Sequence, residues 1–335
     1  MQCGATVVPA DRFCESCGAA LSEVRRVAIP RAAEAQDGPA GPCADCGNEA
    51  YVDEYCTVCG HRRAEPDRDQ MNIGGIVLIS DRGLEHARNE DAAAAGIVAG
   101  AAGERPYAIA VAVCDGVSTS AAAHTAAMAA SMAGVDAMLR ALAASRKARS
   151  AVLAGLADAA KAAAAAAGTG SVDPSIAPSC TYAAATVVPT SAGTVQITVG
   201  NIGDSRVYWL PEPPAPAQCL TVDDSVAQEL ISGGVPADSE AVQAGAHTLT
   251  RWLGGDAEPT PWSESSVRTI TTADGGSLVM CTDGLWNYLP EADDIARFCA
   301  GTDAAAAACA LVDYALRAGG QDNVTIAVIP VGGLL

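Results

Sequence analysis

Five apolar runs in this chain begin or end at an acidic residue, and no other feature limits the fold as much. In "GGQDNVTIAVIPV" (319–331), Val324, Ile326, Val328 and Pro330 alternate with Thr325, Ala327 and Ile329, with Asp322 just before them. That pattern predicts a buried strand with a carboxylate at its mouth. "YAIAVAVCDGVSTS" predicts a buried strand at 107–114 that runs into Asp115-Gly116. "GGSLVMCTDGLWNYL" ends the same way at Asp283-Gly284, and "VQITVGNIGDSRVYWL" reads as two strands about a turn at Gly203-Asp204-Ser205. In "GGIVLISDRGLEHARNEDAAAAGIV", a strand at 76–79 and a loop lead to Glu90-Asp91 and a further apolar run.

Any one of these acids alone is ordinary turn chemistry. Sheet formation changes that, because it gathers the strand ends. Carboxylates brought together repel and raise one another's pKa, and a divalent cation relieves the repulsion. A donor set made only of oxygens suits hard ions, Mg2+ or Mn2+.

The other bulk features narrow the function. Half of the 335 residues are hydrophobic but only 4% are aromatic, so the core is built from Ala, Val, Leu and Ile. The net charge of −19 argues against a nucleic-acid face and against anionic membrane surfaces. No apolar signal segment opens the chain. The Ala-rich stretch at 121–167 is interrupted by charge too often to span a membrane, so a cytoplasmic location is expected.

Of the 13 cysteines, seven fall within the first 59 residues. Cys43, Cys46, Cys56 and Cys59 form two Cys-x2-Cys knuckles, each followed by glycine, and predict four thiolates around one structural Zn2+. Cys14 and Cys17 make a third knuckle, while Cys3-Gly4 looks like half of a fourth. The missing cysteine would precede Met1, so the expectation is that the chain starts a few residues late and that a longer form holds a second zinc. The segments resemble a bacterial double zinc ribbon, which implies an interaction module whose partner the sequence does not name. Residues 1–21 are read as a partial ribbon, 22–42 as a linker, 43–61 as the four-cysteine ribbon, 62–72 as a second linker, and 73–335 as the large domain.

The order Asn-Glu-Asp, Asp-Gly, Gly-Asp-Ser-Arg, Thr-Asp-Gly-Leu and Asp-Asn-Val-Thr resembles the metal-dependent protein phosphatase family (type 2C, PPM) over about residues 73–331. "LTVDDSVAQELISGG" and "HTLTRWLGG" resemble segments of that family's flap and beyond. The resemblance implies an α+β fold, an αββα sandwich of two antiparallel sheets covered by helices. Helical stretches near 121–144, 149–167, 224–233 and 303–318 agree with this.

The resemblance further implies that Asp115 bridges two Mg2+ or Mn2+ ions with help from the Gly116 carbonyl. Asp283 and Asp322 hold the second ion, and Glu90 and Asp91 act directly or through water. Asp204 helps to bind a weaker third. A bridging hydroxide would then attack phosphorus in phosphoserine or phosphothreonine of proteins modified by a Ser/Thr kinase. The family's phosphate-binding arginine is His86 here, with Arg88 and Arg82 nearby but out of register. Asn287 replaces an acid near the third ion, and Asp224 replaces a flap histidine. Val117 to Ser120 ("VSTS") replace a glycine-rich stretch, and the hydroxyls there are expected to cap the next helix or to aid the site. Two other readings remain: a phosphatase-like binding module, to which His86 points, and a nucleic-acid-binding ribbon protein, supported only by Arg25, Arg26, Arg62 and Arg63. His61, His124 and His247 have no partners at metal spacing, and Trp209, Trp252, Trp262 and Trp286 are read as packing residues.

Overall fold

The computed structural model describes residues 16–17, 23–30, 46–52, 55–60, 68–99, 106–166, 177–190 and 192–332. In chain order the first elements are β1 (Glu23–Ile29), β2 (Tyr51–Val52), β3 (Tyr55–Cys56), β4 (Arg68–Ile73), β5 (Ile76–Asp81), β6 (Ala92–Ala99) and β7 (Pro106–Cys114). Two long helices follow, α1 (Ala123–Ala143) and α2 (Ala148–Ala165), then β8 (Ser179–Cys180), β9 (Tyr182–Pro189), β10 (Val195–Ile202), β11 (Arg206–Pro211) and β12 (Gln218–Cys219). The flap carries α3 (Val226–Ser232) and α4 (Glu240–Ala244). The chain closes with β13 (Leu253–Gly254), β14 (Val267–Thr272), β15 (Gly276–Cys281), α5 (Asp283–Trp286), α6 (Ala292–Cys299), α7 (Ala304–Ala318) and β16 (Val324–Pro330).

Two antiparallel six-stranded sheets result, ordered β1-β6-β7-β9-β10-β14 and β12-β11-β15-β16-β5-β4. Helices α1 and α2 cover the first sheet, and α5, α6 and α7 cover the second. The expected αββα sandwich is therefore the fold. Its middle layer is branched and large, with Ile76, Leu78, Ile97, Val111, Ile197 and Met280 all buried. The layer under α1 and α2 is alanine-rich: Ala108, Ala110 and Ala112 of β7 meet Ala126, Ala127 and Ala130 of α1. Small side chains let helix and sheet approach closely, which is how a core so poor in aromatics is filled at native density. Among the described residues α1 alone is long and apolar enough to cross a membrane, and its buried side packs on β6, β7 and α2.

The expected boundaries need correction. Residues Glu23–Ile29 lie in the expected 22–42 linker but form β1, paired from Glu23↔Ala99 to Ile29↔Ala93 at the edge of the first sheet. Arg25 and Arg26 hid this strand, because the sequence shows no alternation there. Charged side chains are what an exposed edge strand carries, since they block pairing with other chains. Arg26 is not a free linker residue: it pairs with Asp136 of α1. Residues Arg68–Ile73, partly in the expected 62–72 linker, form β4 at the edge of the second sheet. The large domain therefore takes strands from both sides of the four-cysteine segment, which sits in the connection between two edge strands rather than ahead of the domain. The ligand candidates Cys3, Cys14 and Cys43, and the residues His61, Arg62 and Arg63, lie outside the described residues.

Candidate active site

The carboxylates converge because the strand ends do. β7 delivers Asp115, β15 delivers Asp283, and β16 begins just after Asp322. Gly203 to Ser205 is not the turn of a hairpin. It carries the chain from β10 in the first sheet to β11 in the second, so Asp204 sits where the two sheets meet. Glu90, Asp115, Gly116, Asp204, Asp283 and Asp322 line one open pocket of about 650 Å³, together with His86, His247, Trp252 and Asn287. Asp91 lies beneath it, 1% exposed, with Oδ2 accepting from Thr282 Oγ1 at 2.9 Å.

Glycine makes this convergence possible. A Cβ on Gly284 would stand 2.0 Å from the Asn323 carbonyl oxygen, so only glycine lets β15 and β16 bring Asp283 and Asp322 together. A Cβ on Gly116 would stand 2.6 Å from the Glu90 carbonyl oxygen, so that glycine admits the 82–91 loop. The Asp-Gly pairs therefore serve close backbone approach as well as the turn. Gly284→Ala is expected to weaken Mn2+ affinity at least ten-fold while leaving the circular dichroism spectrum unchanged, which isothermal calorimetry checks.

A hydroxyl and amide frame fixes these groups. Thr181 Oγ1 accepts from the Asp115 amide at 2.9 Å and bonds Ser205 Oγ at 2.7 Å. Asn323 ties the 82–91 loop down: its Oδ1 accepts from the Glu90 amide at 2.7 Å, and its Nδ2 donates to the carbonyls of Arg82 at 2.7 Å and Arg88 at 3.1 Å. Asn89 Nδ2 donates to Ser80 Oγ at 2.7 Å, which bonds Thr325 Oγ1 at 2.6 Å.

The electrostatics are those of a cation site. Burial, together with repulsion from Asp322 and Asp283, pushes Asp91 up to about 8. Burial and then the charge of Asp283 push Asp204 up to about 7. Asp115 is raised well above the usual range by burial and by Asp91, Asp283, Asp322 and Asp204 together. Buried oxygens Asp91 Oδ1 and Asp283 Oδ1 have no hydrogen-bond partner among the described residues. Orphaned carboxylate oxygens in a cluster of this sign fit divalent cations.

A pH effect follows. At neutral pH the metal-free fold keeps protons on Asp91 and Asp204 that the unfolded chain releases above pH about 4. These protons stabilise the metal-free fold at low pH, and the contribution is lost as pH rises toward 8. Cations compete with them. The rise in Tm from saturating Mn2+ is expected to reach about 5–10 °C at pH 8 and to be clearly smaller at pH 5.5, as differential scanning fluorimetry would show.

The phosphate candidates separate. His86 lines the pocket, with Nε2 3.1 Å from Asp322 Oδ1. Arg82 turns to the His86 carbonyl, and Arg88 reaches His124 Nδ1 at 3.4 Å; neither lines the pocket. Ser120 does not cap α1. Its Oγ donates to the Val117 carbonyl at 2.8 Å and accepts from the Ser179 amide at 3.2 Å, while Ala122 holds the cap position. Asp224 accepts from the Gly203 amide at 3.1 Å and from Arg251 at 3.0 Å, and so ties the flap to the Asp204 turn. Several pocket residues escaped the sequence reading, Trp252 and His247 among them. Trp252 Nε1 donates to Asp256 at 2.9 Å, and His247 stands 3.5 Å from Asp283. Both come from the flap side, and only the fold brings them in.

In the four-cysteine segment, β2 and β3 form a hairpin. Cys46, Cys56 and Cys59 offer sulfurs within 4.8 Å of one another, with Cys46 Sγ 3.5 Å from Cys56 Sγ. A backbone hydrogen bond from Cys59 leads the causes that lower the Cys56 thiol to about 6. The described cysteines form no disulfide.

No family model matches the chain. A curated relative, the serine/threonine phosphatase stp of Listeria innocua, is 29% identical over 135 residues, 40% of this chain and 51% of the relative. The chain thus matches about half the length of the curated relatives. The PPM Ser-Thr phosphatase MsPP of Mycobacterium smegmatis, solved with cacodylate, is 25% identical with a TM-score of 0.54, covering 77% of this chain and 98% of MsPP. The catalytic domain of the serine/threonine phosphatase PstP, solved with two manganese ions, is also 25% identical, with a TM-score of 0.52 over 76% of this chain and 96% of that domain. The fold is that of the PPM phosphatases, and these relatives support a place for the chain in the PPM-type Ser/Thr phosphatase family.

Proposed function

We propose that this protein is a Mg2+- or Mn2+-dependent serine/threonine phosphoprotein phosphatase. One observation carries the reading: carboxylates from the ends of β7, β15 and β16 converge on an open pocket and retain buried oxygens without partners among the described residues. The manganese pair in the similar PstP structure supports it. Asp115, Asp283 and Asp322 would hold two ions, joined by Glu90, Asp91 and the Gly116 carbonyl. Ions so held acidify water and stabilise charge on phosphoryl oxygens.

The chain's own residues supply position. Thr181 and Ser205 orient Asp115, Asn323 orients Glu90, and His86, in the pocket lining beside Asp322, stands where it would meet the phosphate. The P–O ester bond breaks, water supplies the new oxygen, and the products are phosphate and a Ser or Thr hydroxyl. A phosphothreonine peptide incubated with Mn2+ is expected to release phosphate, and EDTA to stop it. A folded protein that binds Mn2+ yet releases none between pH 5.5 and 8.5 overturns the reading in favour of a binding module. That second reading draws on the pocket itself, whose described lining contains no arginine.

For the four-cysteine segment, the reading is a structural zinc held by Cys43, Cys46, Cys56 and Cys59 in an interaction module. Thiolates about one zinc stand roughly 3.5–4 Å apart, which the Cys46–Cys56 spacing of 3.5 Å suits. The apolar side chains of Val52, Tyr55 and Val58 are exposed there. Metal analysis of the purified chain is expected to give one zinc, lost in Cys56→Ser. The reading places the enzyme in the cytoplasm, acting on proteins that a Ser/Thr kinase has modified.

A further inference from the structure

We infer that Trp252 and Asp256 form a seat for a cationic side chain on the pocket wall, and that the pocket selects phosphoproteins carrying arginine or lysine within two residues of the phosphorylated one. The inference rests on the phosphatase reading for the phosphate itself, and it names the class of sequence that the same pocket takes.

The pocket is larger than a phosphoryl group needs. Its volume of about 650 Å³ falls among sites that enclose a whole small-molecule ligand, about 300–1,000 Å³. The strand-end carboxylates account for only part of the lining. Ser179, Leu249, Trp252 and Asp256 also line it, and none of them is a candidate ligand of the two ions. The residues flanking a bound phosphothreonine therefore have a wall to meet.

The two side chains are held in place. β13 pairs with β8 through Leu253↔Cys180 and Gly254↔Ser179. A Cβ on Gly254 would stand 2.4 Å from Ser179 Oγ, so the two strands meet with no side chain between them at that point. Asp256 Oδ1 accepts from Trp252 Nε1 at 2.9 Å and lies 3.0 Å from Ser179 Oγ, a hydroxyl that also reaches the Ala177 carbonyl at 2.9 Å. Indole and carboxylate are thus fixed to each other and to the strand behind them.

What this frame leaves open points to the ligand. Both donors fall on Oδ1. Among the described residues Asp256 Oδ2 meets no donor, and no arginine, lysine or histidine pairs with the carboxylate. No ring or guanidinium among them stacks on the Trp252 indole either. A structural brace accounts for Oδ1 alone. An indole face beside a carboxylate with a free oxygen suits a cation, since the ring quadrupole attracts positive charge and the oxygen accepts its N–H groups. Guanidinium fits best, because it stacks flat and donates in its own plane.

Position sets the register. Ser179 lies two residues before Thr181, whose hydroxyl holds the Asp115 amide. Two residues of strand cover about 6–7 Å, and one or two residues of extended peptide span the same distance. The described lining holds no lysine or arginine, and His86 and His247 are its only bases. A cationic flank supplies charge that the pocket lacks. The net charge of −19 also favours encounter with such peptides.

The test uses the full chain loaded with Mn2+ and three phosphothreonine peptides of equal length, flanked on both sides by arginine, alanine or glutamate. Phosphate release gives kcat/KM. Fluorescence anisotropy gives binding, with labelled peptides that carry a non-hydrolysable phosphonate in place of the phosphate. The arginine peptide is expected to exceed the alanine peptide by about 10-fold in both, and the gap to narrow at high salt. Asp256→Asn keeps an acceptor for Trp252 and Ser179, and should cut that ratio to about 2–3-fold. Trp252→Leu should cut it as well, and Asp256→Lys should reverse the order of the arginine and glutamate peptides. A brace alone would affect all three peptides alike. The inference is overturned by equal values for the three peptides, by no measurable binding or turnover of the arginine peptide, or by an arginine preference unchanged in Asp256→Lys. Asp256-dependent preference for the arginine phosphonate, with no phosphate released from any peptide, would sink the phosphatase reading and leave the seat standing.

Discussion

Asp115→Asn is expected to lower kcat/KM on a phosphothreonine peptide by about 10³-fold or more, the scale of losing one preorganised charge at a transition state. Asp115 is the residue on which the other site carboxylates act together: Asp91, Asp283, Asp322 and Asp204 all raise it. Removing its charge relieves that repulsion. The metal-free variant should therefore melt no lower than the parent, and above pH 7 should melt higher. The rise in Tm on adding Mn2+ should shrink at the same time. Loss of activity with retained or increased stability is the mark of a group kept for function at the expense of the fold. An Asp115→Asn protein with parental kcat/KM, measured by phosphate release, would place the chemistry elsewhere.

The second large effect concerns where the domain starts. Deleting residues 1–21 leaves every described strand intact and should shift the urea midpoint only slightly. Deleting 1–72 removes β1 and nearly all of β4, the edge strands of both sheets. It takes away Ile29, 1% exposed, and strips one of the two partners from each of β5 and β6, leaving them as the new edges. One buried isoleucine contributes about 1.5–3 kcal/mol. With two ladders of hydrogen bonds the loss is on the order of 5–10 kcal/mol, comparable to the whole stability of a domain. The shorter protein should be insoluble or fail to unfold cooperatively. A soluble 73–335 fragment with the parental urea midpoint would show that β1 and β4 are ornaments.

The site was legible in the sequence wherever a rigid apolar run stopped at an acid. Asp115, Asp283 and Asp322 fall where the strand pattern puts them, at the points where the apolar runs of β7, β15 and β16 give way to polar residues. Glu90 and Asp204 were legible only as part of the set. What escaped notice depends on distance in the chain. His247 sits 3.5 Å from Asp283 only because the flap folds back over the pocket. The directions taken by Arg82 and Arg88 follow from carbonyl and histidine partners that no spacing rule encodes. β1 was hidden for the opposite reason: an edge strand needs no apolar alternation, and its arginines looked like a solvated linker. The role of Gly284 was half visible, since a turn glycine was expected but the crowding by Asn323 behind it was not.

The four-cysteine segment sits in the connection over residues 31–67, whose ends leave from β1 in one sheet and β4 in the other. Loop-closure entropy grows only with the logarithm of length. Closing the 17 residues from Cys43 to Cys59 around a zinc would change the closure term by about 0.5 kcal/mol. The sandwich would therefore hardly register the binding of an ion there, although it is expected to depend on the strands on either side. The insertion point is thermodynamically nearly silent: a segment tethered there is free to diverge, or to gain or lose a metal or a partner, without taxing the sandwich that carries it.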